Sequence, residues 1–177
     1  MFFKETKLKG VSLIKLEVNE DERGFFSRIF CEKEFAQHGI SFHCVQCNIS
    51  YNRCKGTLRG MHYQQTPYEE PKIVKVIKGS IYDVIIDLRE DSPTLYQWEA
   101  FELFEIEPMM IYIPPGFAHG FQTLEDDTEV LYFMGEYYHP EAARGIRWDD
   151  PFFSIQWPEV EKRIISTRDA NYGYYKE

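Results

Sequence analysis

Between Lys72 and Met134 the chain repeats one pattern: a short run rich in β-branched and aromatic residues, then a tight turn. Ile73-Val74-Lys75-Val76-Ile77 and Ile81-Tyr82-Asp83-Val84-Ile85-Ile86-Asp87-Leu88 have strand composition, and Lys78-Gly79-Ser80 between them reads as a hairpin turn. Met110-Ile111-Tyr112-Ile113 and Glu129-Val130-Leu131-Tyr132-Phe133-Met134 follow suit, with Pro114-Pro115-Gly116 and Glu125-Asp126-Asp127 as turns. Short strands at regular turn spacing define an all-β chain, a sandwich or jelly roll. Helical periodicity is weak; residues 31–38 suit one short helix and the tail after Pro158 another. No linker, repeat or low-complexity stretch divides residues 1–177, so one domain is expected.

At 177 residues, 44% of them hydrophobic, the chain is large enough to bury a proper core. Its net charge of −9 provides no broad basic field for nucleic acid, so an anionic ligand requires cations focused in one cleft. No apolar run is long enough to cross a bilayer, and Met1-Phe2-Phe3-Lys4-Glu5 lacks the apolar stretch of a secretory signal. A cytoplasmic protein with no membrane partner is the expectation. Cys31, Cys44, Cys47 and Cys54 cluster in one segment, and on a strand the two thiols of Cys44-Val45-Gln46-Cys47 point to opposite faces. Buried, inert thiols are expected, not a zinc site or a redox pair.

Period-two alternation places Ile81, Asp83, Ile85 and Asp87 on one strand face, and Lys72 on the face of Val74 and Val76. A carboxylate and an ammonium aimed into an apolar interior must pair or bind something charged, and alternation alone leaves both readings open. His62 is a lone histidine within Arg59-Gly60-Met61-His62-Tyr63-Gln64. Its company raises it above a structural residue: Arg59, Tyr132, His119 after Pro114-Pro115-Gly116, and Arg168-Asp169 near the C-terminus. Strict alternation turns Arg59 and His62 to opposite faces, although a bulge at Gly60 would bring them together. His62 and His119 could share a metal, yet no His-x-His pair accompanies them, which shifts the reading toward proton chemistry by one imidazole.

Asp21-Glu22-Arg23-Gly24-Phe25-Phe26, Gln46-Cys47-Asn48-Ile49-Ser50, Gly56-Thr57-Leu58-Arg59-Gly60-Met61-His62-Tyr63-Gln64, Lys72-Ile73-Val74-Lys75-Val76, Ile113-Pro114-Pro115-Gly116-Phe117-Ala118-His119-Gly120-Phe121 and Trp148-Asp149-Asp150-Pro151 occur in one order along the chain. Together they resemble the dTDP-4-dehydrorhamnose 3,5-epimerase family. The resemblance implies a cupin jelly-roll barrel with short peripheral helices, working without metal or cofactor as a homodimer on a nucleotide-linked 4-keto-6-deoxy sugar. By position it makes His62 the base, Asp169 the carboxylate that orients it and Tyr132 the acid on the opposite face of the sugar. Lys72 and Arg59 fall near the keto oxygen, and Asp83 and His119 at further active-site positions. Arg23, Phe26, Gln46, Asn48 and Tyr138 fall where the family binds or stacks against nucleotide and sugar.

Three features depart from the family pattern: Ala143 where Glu is usual, Phe133 where Lys is common, and the segment Gln64-Gln65-Thr66-Pro67-Tyr68-Glu69-Glu70-Pro71. They bear on which nucleotide and sugar are taken, since related enzymes use other nucleotides, heptoses, or one carbon only. A metal-dependent enzyme built on His62 and His119, and a non-catalytic sugar-nucleotide binder, are the competing readings. The first lacks the His-x-His pair, and the second would be expected to have lost His62, Tyr132 or Asp169.

Overall fold

The computed structural model describes residues 1–175. In chain order its elements are β1 (Phe2–Glu5), β2 (Ser12–Lys15), β3 (Val18–Asp21), β4 (Gly24–Ser27), α1 (Glu32–Gln37), β5 (Gln46–Asn52), β6 (Thr57–Gln64) and β7 (Lys72–Lys78). There follow β8 (Ser80–Asp87), β9 (Trp98–Phe104), β10 (Met109–Ile113), β11 (Phe117–Thr123), β12 (Thr128–Met134), β13 (Ala143–Gly145), β14 (Ile164–Ile165) and α2 (Thr167–Ala170). One sheet runs β1-β2-β10-β7-β12-β5, and the other runs β13-β6-β11-β8-β9 with β14 added beside β6. Two facing sheets linked this way are the cupin-type jelly roll.

Alternation sorts the side chains into layers. Val74, Val76, Ile81, Ile85, Phe121 and Val130 fill the space between the sheets. The opposite faces of the same strands are covered too. Met61, Val84, Ile86 and Ala118 pack with Ile146 and Phe153, and Ile73, Met110 and Tyr112 pack with Phe35 of α1. Phe35 is 0% exposed, and burying such a ring stabilises the fold by about 1.5–3 kcal/mol. The short helix carries Glu32 and Glu34 in its first turn, where acidic groups suit its positive end.

The expected hairpin across Lys78-Gly79-Ser80 does not form. β7 pairs with β10 and β12, while β8 pairs with β9 and β11, so the turn carries the chain from one sheet to the other. Gly79 has φ +76°, and a Cβ there would lie 2.5 Å from Thr128 Oγ1. The helix expected after Pro158 shrinks to α2, preceded by β14. The thiols also differ from expectation. All four are free, but Cys47 and Cys54 are exposed, because β5 is a sheet edge and Cys54 lies in the loop after it. No helix of the described residues is long and apolar enough to cross a membrane.

Asp87 is 0% exposed and accepts from Arg89 Nε at 2.9 Å, Arg89 Nη2 at 2.6 Å, Ser92 Oγ at 2.5 Å and Thr94 Oγ1 at 2.7 Å. These bonds tie the end of β8 to the loop that leads into β9. Asp87→Ala removes the charge on which they converge and is expected to cost about 3–5 kcal/mol. Chemical denaturation of the two proteins measures this directly.

Candidate active site

The β6 and β11 strands build one wall of the site, and their pairing is irregular. His119 lies opposite His62 and Phe121 opposite Arg59, so β6 spends an extra residue between the two pairs. The bulge falls at Gly60-Met61 and turns Arg59 and His62 into the same cavity. Gly60 has φ +122°, and a Cβ on it would lie 2.5 Å from Gly120 Cα and 2.8 Å from the His119 carbonyl oxygen. Only glycine fits there.

His62 Nε2 donates to Asp169 Oδ1 at 2.8 Å, and Asp169 Oδ2 accepts the Gly60 amide at 3.1 Å. The Asp169 amide in turn donates to Ser166 Oγ, the cap of α2, at 3.0 Å. The carboxylate is 5% exposed. Burial alone would raise its pKa, but the hydrogen bond and charge of His62, with the Gly60 amide and the Ser166 hydroxyl, outweigh burial and hold it below the usual value. It therefore stays ionised through neutral pH and fixes Nε2 as the protonated nitrogen. Nδ1 carries the lone pair and has no partner among the described residues.

Tyr132 enters from the other sheet, on β12, and its hydroxyl shares a hydrogen bond with Ser50 Oγ at 3.0 Å. Burial pushes its phenol well above the ordinary value; the Ser50 bond and Arg59 oppose this, and the Asp83 charge adds to it. The group is a phenol, not a phenolate, at working pH. Behind His119 stands a second buried pair, in which His119 Nε2 donates to Asp83 Oδ1 at 2.7 Å. Asp83 Oδ2 has no hydrogen-bond partner among the described residues. Each histidine is thus committed to its own carboxylate, and among the described residues no three His, Cys, Asp or Glu side chains gather where they could hold one metal ion.

The cavity encloses about 450 Å³. His62, Lys72, Arg59, His119, Tyr132, Gln46, Asn48 and Tyr138 all line it, with Asp169 and Asp83 behind the two imidazoles. Arg59 is aimed by bonds from Nε to Asn52 Oδ1 at 2.7 Å and from Nη2 to the Tyr51 carbonyl at 3.4 Å. Gln46 Oε1 accepts the Tyr138 amide at 3.0 Å. Arg144 and Arg168 add two more cations, so a chain of strongly negative net charge concentrates positive charge at one mouth. Arg144 and Glu70 carry no signal in the sequence that marks them as cavity residues, because no strand pattern dictates where their segments lie.

The departures separate cleanly. Phe133 faces away from the cavity and stacks on Phe30 at 5.9 Å, in the cluster around Phe35, so its replacement of a lysine does not alter the cavity wall. Ala143 does line the cavity, opposite Gln64 on β6. Arg23 and Phe26 lie elsewhere. They occupy the exposed hairpin of β3 and β4, where Arg23 pairs with Asp21 at 2.5 Å and Phe26 is 70% exposed.

A jelly roll with a carboxylate-bound imidazole, a phenol and several cations lining one cavity fits the class of sugar-nucleotide epimerases. A family model described as dTDP-4-dehydrorhamnose 3,5-epimerase matches residues 5–177, and the chain belongs to that family. It is 42% identical over 179 residues to the dTDP-4-dehydrorhamnose 3,5-epimerase of Methanothermobacter thermautotrophicus, with 99% of this chain and 95% of that one aligned. The crystal structure of the Bacillus anthracis enzyme with TDP and pyrophosphate bound superposes with a TM-score of 0.94, at 38% identity and 98% coverage of both chains. The Legionella pneumophila enzyme in complex with dTDP-4-keto-L-rhamnose gives 0.92 at 36% identity, covering 98% of this chain and 92% of that one.

Proposed function

We propose that the protein inverts carbons 3 and 5 of a dTDP-linked 4-keto-6-deoxy hexose by proton transfer through an enolate. Both carbons are α to one ketone, so each C–H proton can leave if the electrons it leaves behind are accepted by the carbonyl oxygen. His62 Nδ1 takes the proton, and the C–H pair becomes the enolate. Lys72 and Arg59 stabilise the negative oxygen as it develops. Tyr132 then gives its phenolic proton to the opposite face of the carbon, and exchange with solvent resets both groups. The substrate's ketone is the electron sink, so the proposal needs neither metal nor cofactor. The observation that carries this reading is the His62–Asp169 pair in one cavity with the protonated Tyr132.

Arg23 and Phe26 enter the same proposal through a second copy of the chain. β5 borders the cavity as an unpaired sheet edge, with Ile49 62% and Tyr51 48% exposed, and the β3–β4 hairpin presents Phe25 and Phe26 at 74% and 70% exposure. Such edges and apolar surfaces call for a partner. In a homodimer the hairpin of one copy would lie along β5 of the other and bring Arg23 and Phe26 to the nucleotide. Sedimentation is expected to show a dimer, and Phe25→Ser with Phe26→Ser to shift it toward monomer with a raised KM. The four free thiols suit a reducing compartment, and we place the enzyme in the cytoplasm.

A panel of dTDP-, GDP- and CDP-linked 4-keto-6-deoxy sugars tests the reading. The dTDP sugar is expected to be epimerised, with full rate after exhaustive chelation. Turnover of the GDP or CDP sugar alone would overturn the nucleotide assignment, and recovery of a chelated, dead enzyme by one divalent metal would overturn the metal-free route.

A further inference from the structure

Among the described residues Glu70 is the one carboxylate that lines the cavity directly, and it is bound to the ammonium that the proposed reaction relies on. Lys72 Nζ donates to Glu70 Oε1 at 2.7 Å, and the two side chains are 6% and 11% exposed. Among the described residues this is the only hydrogen-bond or ion-pair partner of the Lys72 ammonium. The other charged and titratable groups around the cavity are Arg59, His62 and Tyr63 on β6, His119 with Asp83 behind it, Tyr132 on β12, Tyr138, Arg144 on β13 and Arg168 on α2. An ammonium buried among cations with no anion beside it is repelled by its neighbours and loses its aim.

The segment that carries Glu70 is fastened at both ends. Gln64 Nε2 donates to the Tyr68 carbonyl at 2.8 Å, and the Tyr68 ring stacks on His139 with centroids 3.8 Å apart. The Gly135 amide donates to the Pro71 carbonyl at 2.8 Å, and a Cβ on Gly135 would lie 2.6 Å from Pro71 Cγ, so the two loops touch backbone to ring. A carboxylate held on so constrained a loop costs little to order when substrate arrives.

We propose that Glu70 is a positioning residue, whose carboxylate holds the Lys72 ammonium aimed into the cavity shared with His62 and Tyr132. The inference rests on the epimerase reading. One of the three ammonium hydrogens goes to Glu70, and two remain for the ketone oxygen of the substrate. Glu70 itself makes no contact with the reacting carbons in this account; it acts through Lys72.

The test uses the full-length enzyme with dTDP-4-keto-6-deoxyglucose as probe. Wild-type turnover is measured first, because its absence defeats the epimerase reading and its presence leaves the role of Glu70 to be decided separately. Glu70→Gln is expected to lower kcat about 10-fold with KM little changed, because the ammonium loses the anion that aims it at the developing negative oxygen. In a Lys72→Met background the same change is expected to have no further effect, since there is no ammonium left to hold. A wild-type kcat in Glu70→Gln, or a loss carried by KM instead of kcat, would overturn the proposal. So would an equal further loss in the Lys72→Met background, which would mean that Glu70 binds the sugar itself. Should Glu70→Gln fail to fold, Glu70→Asp keeps the charge but draws it back by one methylene. A reduced kcat with KM little changed then supports the proposal, and an unchanged kcat, or a loss carried by KM, overturns it.

Discussion

His62→Ala is expected to abolish exchange of the carbon-bound protons, lowering turnover by about 10²–10⁴-fold. Asp169→Ala should be milder, because the imidazole survives and only its tautomer and aim are lost; a loss of about 10–100-fold is expected. Asp169 is held ionised below the usual carboxylate range, its burial outweighed by His62 and its other donors, so in the wild type the acid limb of activity does not arise from its protonation. In Asp169→Ala the loss should therefore be uniform from neutral pH upward, because the carboxylate that is removed is ionised throughout that range. Rates across pH for both variants check this. Near-normal exchange in His62→Ala would show that another group is the base.

Tyr132→Phe should separate proton removal from inversion. The ring still packs against the cluster around Phe121 and Val130, so the cavity keeps its shape while the hydroxyl bound to Ser50 is gone. His62 can still remove and return a proton on its own face. In deuterated water label should therefore enter carbon 3 with configuration retained, while formation of the inverted sugar falls by about 10²-fold or more. Carbon 5 should suffer at least as much, since its inversion needs the same opposite-face proton. Unchanged inversion at both carbons would assign the acid to another group, with Tyr138 and water the first to examine.

Alternation carried the sequence reading a long way. It put Asp83 with Ile81 and Ile85, and Lys72 with Val74 and Val76, on the face that the structure places between the sheets. It could not say which strands pair. A turn such as Lys78-Gly79-Ser80 has the same composition whether it closes a hairpin or crosses between sheets, and only long-range packing decides, here in favour of crossing. The bulge that unites Arg59 with His62 was legible as an option through Gly60, but its occurrence depends on the close approach of Gly120 on β11. Glu70 and Arg144 were missed because they stand on irregular segments and a short edge strand, where position follows from loop anchoring and not from period. Arg23 and Phe26 were legible only as motif, since a single chain leaves them on an exposed hairpin.

The central claim is that a carbon-bound proton leaves to an imidazole and an enolate forms. The most direct measurement follows wild-type enzyme and dTDP-4-keto-6-deoxyglucose in deuterated water by NMR. The account predicts that deuterium replaces hydrogen at carbons 3 and 5, at each carbon no more slowly than it inverts, and that His62→Ala stops both. An inverted sugar that keeps its original hydrogens at both carbons would contradict it.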